Sequence, residues 1–420
     1  MKTFQVRLLA LLIAVACGSV FFIACHKDKP GEEIVSMVSG PDLSAHFHQW
    51  NIVTLDIVQL YEQAKKAKAG AFVQFELENG SGVSWQITAL QHELFAQGFE
   101  TNEIGQSMDR TAHSAGLIAL EGSVSGQRFD ECRLVVSPEY AGGFIVADGV
   151  TYFLMPLALY DKKAATNQYV VYRQEDIVEE AGTCIEPAFD VDAPPPAELP
   201  AGIEARSGTC WKMEIRVHSD YEYFANKAGG NYNLGVFAIA VALNNADAKF
   251  SAINLDFSVL EITLLTAPSN PLYYPTSSNI GTLVQQTKNF WNFFLPNVNR
   301  DAVILFTGKN STTPSGVIGQ VDNIGVICSA LTKSYAVVKW GSGNNQTFNT
   351  VAHEVGHLLM ARHPNSDPQS WCYPTPLSAS GIMGSAVPTS STASFITCSR
   401  NEMNWHLWFN HGCLTQGGCN

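Results

Sequence analysis

Residues 349–364 read NTVAHEVGHLLMARHP, which places three histidines and one glutamate within eleven residues. On a helix, residues four apart lie on one face. His353 and His357 then project together, one turn apart, with Glu354 beside them. The pattern predicts a helix that starts at Thr347 or Asn349, either a suitable cap. Ala352, Val355 and Leu359 fall where they can pack that helix into a core. A catalytic zinc site needs a third protein ligand and one open position. His363, six residues beyond His357, supplies the ligand if the helix stops and the chain turns back. Three neutral imidazoles leave the charge of a zinc ion intact, and water in the open position is then acidified towards a pKa of roughly 7. Glu354 is placed to take its proton and pass it to a leaving amine. In a chain of this composition His-Glu-x-x-His arises by chance only about once or twice in a hundred sequences. A third histidine at a fixed offset makes coincidence rarer still, so a surface helix with unrelated histidines is a poor account.

Outward from this stretch, the second half of the chain alternates strand and helix patterns. CWKMEIRVHSDY, INLDFSVLEITLL, DAVILFTG, VIGQVDNIGVICS and SYAVVKW read as strands. NYNLGVFAIAVALNNADAKF and IGTLVQQTKNFWNFFL have helical length and spacing. Alternation of this kind predicts a mixed sheet covered by helices. The first half carries β-branched runs divided by Gly and Asp turns, such as GAFVQFELE, CRLVVS and QYVVYR, and reads as a mainly antiparallel β domain. Between them DAPPPAELP is a stiff, extended linker, because consecutive prolines fit neither a helix nor a central strand. The expected division is a β-rich domain over 26–190, a linker over 191–205 and a second domain over 206–420.

The N-terminus reads as an export signal over 1–24: Lys2 and Arg7, an apolar run from Leu8 to Ala24, then Cys25. Phe22-Ile23-Ala24-Cys25 resembles the lipobox of bacterial lipoproteins, which implies a lipid on Cys25 and attachment to a membrane; plain secretion is the alternative. Export permits disulfides. Cys132, Cys184, Cys210, Cys328, Cys372, Cys398, Cys413 and Cys419 remain for them, and the last six admit many pairings. The net charge of -13 gives no electrostatic basis for binding nucleic acid.

HEVGHLLMARH resembles the zinc signature of the metzincins, His-Glu-x-x-His-x-x-Gly-x-x-His. SGIMGS is similar to the family's Met-turn, which implies that Met383 lies beneath the metal. RDAVILFTGKN, IGQVDNIGVICS and FITCSRNEMNW narrow the likeness to the adamalysin, or reprolysin, catalytic domain, and DGVTYFLMPL and VVYRQEDI resemble the end of its propeptide. The resemblance implies an α/β (α+β) catalytic domain with a mixed, twisted sheet and an active-site helix, preceded by a mainly β propeptide. It also implies one catalytic Zn2+ on His353, His357 and His363, Glu354 as general base, and a Cys328–Cys398 disulfide.

Two departures stand out. Met360 occupies the position of the family's glycine, where positive φ would cost a methionine about 1–2 kcal/mol. Pro364 replaces the usual aspartate and favours an extended His363, as a helix that has ended requires.

Cys184, in EEAGTCIEP, lies where the family keeps a propeptide cysteine. As a thiolate in the fourth zinc position it would act as a latch; the rival is a disulfide with Cys132. Arg206 is a candidate activation cut. The expected partners are protein or peptide substrates. The competing reading is a non-catalytic surface or adhesion lipoprotein with a structural metal site, for which an intact Glu354 has no use.

Overall fold

The computed structural model describes residues 41–417 apart from 68–70, 107–108, 125–130, 179–181, 186–209, 269–274, 311, 342–343 and 391. The signal segment, Cys25, the linker over 191–205, Arg206 and Cys419 lie outside the described residues.

The β-branched runs of the first half pair into an eight-stranded antiparallel sheet. Its order is Asn51–Thr54, Gln168–Arg173, Val150–Pro156, Ala141–Ala147, Cys132–Val136, Ile118–Val124, Ser84–His92 and Val73–Glu78. Side chains alternate between two cores along its middle strands. Leu134 and Val136 point to one core, shared with Leu60 and Ala64 of the helix Ile57–Ala64. Val135 points the opposite way, into the core of the second half. Asp56 caps that helix by accepting from the Gln59 amide at 3.0 Å.

The ten-stranded second sheet is mixed. Its path runs Ala386–Val387, Gly182–Cys184, Val317–Val321, Tyr335–Lys339, Ala302–Thr307, Cys210–Ser219, Leu255–Leu265, Phe95–Ile104 and Arg110–His113, with Thr415–Gly417 also paired to Cys210–Ser219. The central strands are parallel and almost wholly buried, as helices on the faces demand. The helix Tyr232–Asp247 is buried from Leu234 to its end. It lies between the two sheets, which is why it is apolar on every side.

The division read at the prolines is not a division of this body. The described residues from Asp42 onward form one compact unit. Phe95–Ile104, Arg110–His113 and Gly182–Cys184 all come from the first half and join the second half's sheet. Chain order does not reveal such an exchange, because each strand's local pattern is silent about its partner.

Candidate metal centre

The helix with the histidines spans Asn344–Leu358 and so begins before Thr347. Thr347 lies inside it, with its hydroxyl accepting from the Gly341 amide at 3.0 Å. Phe348, Val351, Ala352 and Val355 are fully buried in the common core. His353 and His357 leave the same helix on the cleft side, their ring centroids 4.6 Å apart.

The way this helix ends sets the remaining geometry. The Ala361 amide donates to the Gly356 carbonyl at 2.9 Å and the Met360 amide to the His357 carbonyl at 2.9 Å, the two bonds of a Schellman turn. That turn needs a left-handed residue, and Met360 adopts φ +84°. The chain reverses, and the Ala361 carbonyl accepts from His357 Nδ1 at 2.7 Å. His363 then faces back toward the helix. Its Nε2 lies 3.1 Å from Nε2 of His353 and 3.1 Å from Nε2 of His357. If Met360 carries this strain, Met360→Val should destabilise the fold by about 1–2 kcal/mol, while Met360→Gly should be nearly neutral. Urea denaturation measures both; a valine variant as stable as the parent contradicts the left-handed turn.

His353 Nδ1 donates to the Ile382 carbonyl at 2.7 Å. With both Nδ1 protons so committed, the Nε2 atoms of His353 and His357 present lone pairs. Three ring nitrogens thus converge with too few protons to hold them together, which is the arrangement a cation resolves. Burial lowers the pKa of His353 to about 4 and that of His363 to about 2, and drives His357 well below its ordinary value. All three rings therefore stay neutral, the form that binds metal. Cys184 Sγ joins them: one potential ligand atom from each of the four residues lies within 4.8 Å of the others, and all four are buried. Three imidazoles and a thiol suit a borderline-soft divalent ion in tetrahedral geometry.

Glu354 is completely buried beside this group. Its Oε1 accepts from the Cys184 thiol at 3.1 Å, and its Oε2 has no hydrogen-bond partner among the described residues. Burial pushes its pKa up to about 8, against the pull of the Cys184 hydrogen bond. A cation on the imidazoles would draw it down again. Space for this carboxylate depends on Gly319, where an added Cβ would stand 2.0 Å from Oε1. Gly319→Ala is therefore expected to displace the carboxylate by about 1 Å and cut turnover at least tenfold. Unchanged kinetics would contradict that placement.

The surrounding segments hold the turns. Met383 is fully buried in the turn Gly381–Met383, whose Ile382 carbonyl orients His353. A Cβ on Gly356 would lie 2.7 Å from Met383 Sδ, so glycine lets the turn approach the helix. The amides of Gly325 and Val326 donate to the carbonyls of His357 and Leu358, at 2.9 and 3.0 Å, and cap the helix end. His406 Nε2 fixes the Ile327 carbonyl at 2.8 Å, a structural task. Buried Glu402 accepts from the amides of Arg362 and Trp371 and from Ser370 Oγ, gathering the loop around His363.

The expected Cys328–Cys398 disulfide does not occur. Cys328 bonds Cys413, and Cys372 bonds Cys398. Cys398 opens the helix Thr397–Asn410 and Cys413 follows its end. A helix of that length holds its two ends roughly 20 Å apart, and Cys328 lies at the far one. Cys132 and Cys184 are both unbridged, so the alternative disulfide between them is absent too.

Gly182–Cys184 lies in the cleft as a strand, parallel to Val317–Val321 and antiparallel to Ala386–Val387. The Thr183 amide donates to the Gly316 carbonyl at 2.8 Å and the Cys184 amide to the Ser385 carbonyl at 3.1 Å. Gly319, Glu402 and the Ile382 carbonyl carry no sequence signal of their own and were not foreseen.

Residues 212–402 match a reprolysin-type model described as metallo-peptidase family M12. Over this stretch the chain is similar to a family M12 metallopeptidase domain. The zinc signature, Met383 and the capping segment at 325–327 all fall within the M12 match. Among solved structures, metalloproteinase-II from Bacteroides fragilis is similar at 12% identity, over 84% of this chain and 96% of that one, with a TM-score of 0.51. At that identity the likeness is one of fold. Comparison with curated proteins returns no significant match. The likeness to M12 implies a metal and peptide substrates.

Proposed function

We propose that the chain is a zinc endopeptidase made as a latent precursor, exported and attached to a membrane through a lipid on Cys25. The observation that carries the peptidase reading is the convergence of three imidazole Nε2 atoms, 3.1 Å apart along two sides, with a buried carboxylate alongside. His353, His357 and His363 hold the ion. When bound, zinc supplies a Lewis acid for a peptide carbonyl and an acidified water. Glu354 takes the proton of that water on a carboxylate oxygen and returns it to the departing amine. A peptide substrate lies along Val317–Val321, where Gly182–Cys184 now forms its main-chain bonds. Met383 supports the floor. Cys184 takes the fourth ligand position, and residues 26–190 act as propeptide.

The test joins metal analysis to proteolysis. The purified chain is expected to hold one zinc ion. Once the Cys184 segment has been removed by limited proteolysis, it should cleave casein, lose that activity to a chelator and regain it with zinc. Bound metal with no hydrolysis after removal of the segment would instead identify a binding protein.

A further inference from the structure

A propeptide that only plugs a cleft need touch nothing else. Here the contact is far wider. The first-half sheet covers one side of the helix Tyr232–Asp247, with Tyr140 against Phe237 at a centroid separation of 5.6 Å. Phe153 reaches the active-site helix itself, its ring 6.2 Å from that of Phe348. Residues of both halves make up one continuous core.

Polar and charged side chains cross the same seam. His92 Nε2 lies 2.7 Å from Asp247 Oδ2, and the two side chains are 2% and 1% exposed. Arg133 stands 3.5 Å from the same carboxylate oxygen. Arg110 reaches buried Glu261 at 3.2 Å. Phe95–Ile104 pairs with Val259–Leu265 and so covers much of the edge of the eleven-residue strand Leu255–Leu265. An interface built like a divided core is characteristic of obligate partners, which have no stable separate form. Losing it would bare an apolar helix face, part Asp247 from His92 and Arg133 and open a long strand edge.

The latch segment is of another order. Gly182–Cys184 is three residues long, and Cys184 belongs to a small buried apolar cluster with Ile318 and Val387.

We propose that residues 42–178 stay bound to the catalytic half after the linker is cut, so that the working enzyme is a nicked, two-piece molecule and activation is the withdrawal of the Gly182–Cys184 segment alone. This rests on the reading of the chain as a latent peptidase. It departs from a propeptide that is shed: the β-sheet half becomes a permanent subunit, and only its C-terminal strand is a regulator.

Full-length protein carrying one engineered protease site within 191–205 and another within 179–181 tests this. After the linker cut alone, both pieces should elute together in gel filtration at the size of the uncut chain and part only in denaturant. Activity should remain at the uncut level, since Cys184 is still tethered. After both cuts the short Cys184 peptide should leave and casein cleavage should rise at least tenfold, with 42–178 still co-eluting. In nicked protein Asp247→Asn, which lies outside the catalytic machinery, should raise dissociation of the pieces at least tenfold. Separation of the two pieces in native buffer after one cut overturns the proposal, as does activity confined to fractions that lack 42–178. Co-elution after both cuts without hydrolysis upholds the seam and counts against the peptidase reading, so the two failures are told apart.

Discussion

Glu354→Gln is expected to lower turnover about 10³-fold while metal content stays at the parent level. Glutamine has the same shape, so it fits the space left by Gly319 and keeps the helix packing. It replaces a buried carboxylate with a neutral amide, so the fold should lose nothing in stability. What disappears is a group able to accept a proton and give it back. The distance of 3.1 Å between Glu354 Oε1 and Cys184 Sγ places that group beside the thiol that joins the three histidines. His353 and His357 do not depend on Glu354 for their orientation: the carbonyls of Ile382 and Ala361 set it. Metal analysis and casein cleavage on the same preparation decide the matter. Full activity in the glutamine variant removes Glu354 as the base, and loss of metal makes its role structural.

The second large effect is expected at Cys184. The four ligands of a structural zinc site share about 10–16 kcal/mol of binding, so one thiolate accounts for roughly 3–4 kcal/mol, or 10²- to 10³-fold. In the uncut chain Cys184→Ala should raise hydrolysis of a short peptide by about that factor, because the strand then rests on a few main-chain bonds and a small apolar contact. Cys132→Ala is the matching control. Cys132 is buried in the first sheet and unbridged, so its loss should leave latency intact. A Cys184→Ala chain as silent as the parent would mean that the thiol is not what restrains the centre.

The sequence was most legible where one local rule acts. Helical periodicity alone places His353 and His357 on one face, and long apolar patterns mark Tyr232–Asp247 and Ile280–Phe294 as helices. Convergence of His363 is less local. It depends on a left-handed Met360, a residue that offers no hint of positive φ, and only the family likeness pointed to a turn there. Partners distant in sequence were not legible. The strand Gly182–Cys184 is too short to show alternation, and its register is set by Val317–Val321, over 130 residues away. The cysteine pairing inferred from resemblance failed because a rigid helix, Thr397–Asn410, keeps Cys398 from the end where Cys328 lies. Glu402 was missed because an isolated glutamate on a helix reads as solvated surface until the loop it gathers is seen.

The two disulfides between described residues bear on where the protein can be assembled. Cys328–Cys413 braces the segment that caps the histidine helix, and Cys372–Cys398 braces the loop beyond His363. Neither forms in a thiol-rich, reducing interior. Under the export proposed above, a copy stranded inside the producing cell would keep the turns around His357 and His363 unbraced, and the oxidation that completes the molecule outside would safeguard its maker from it.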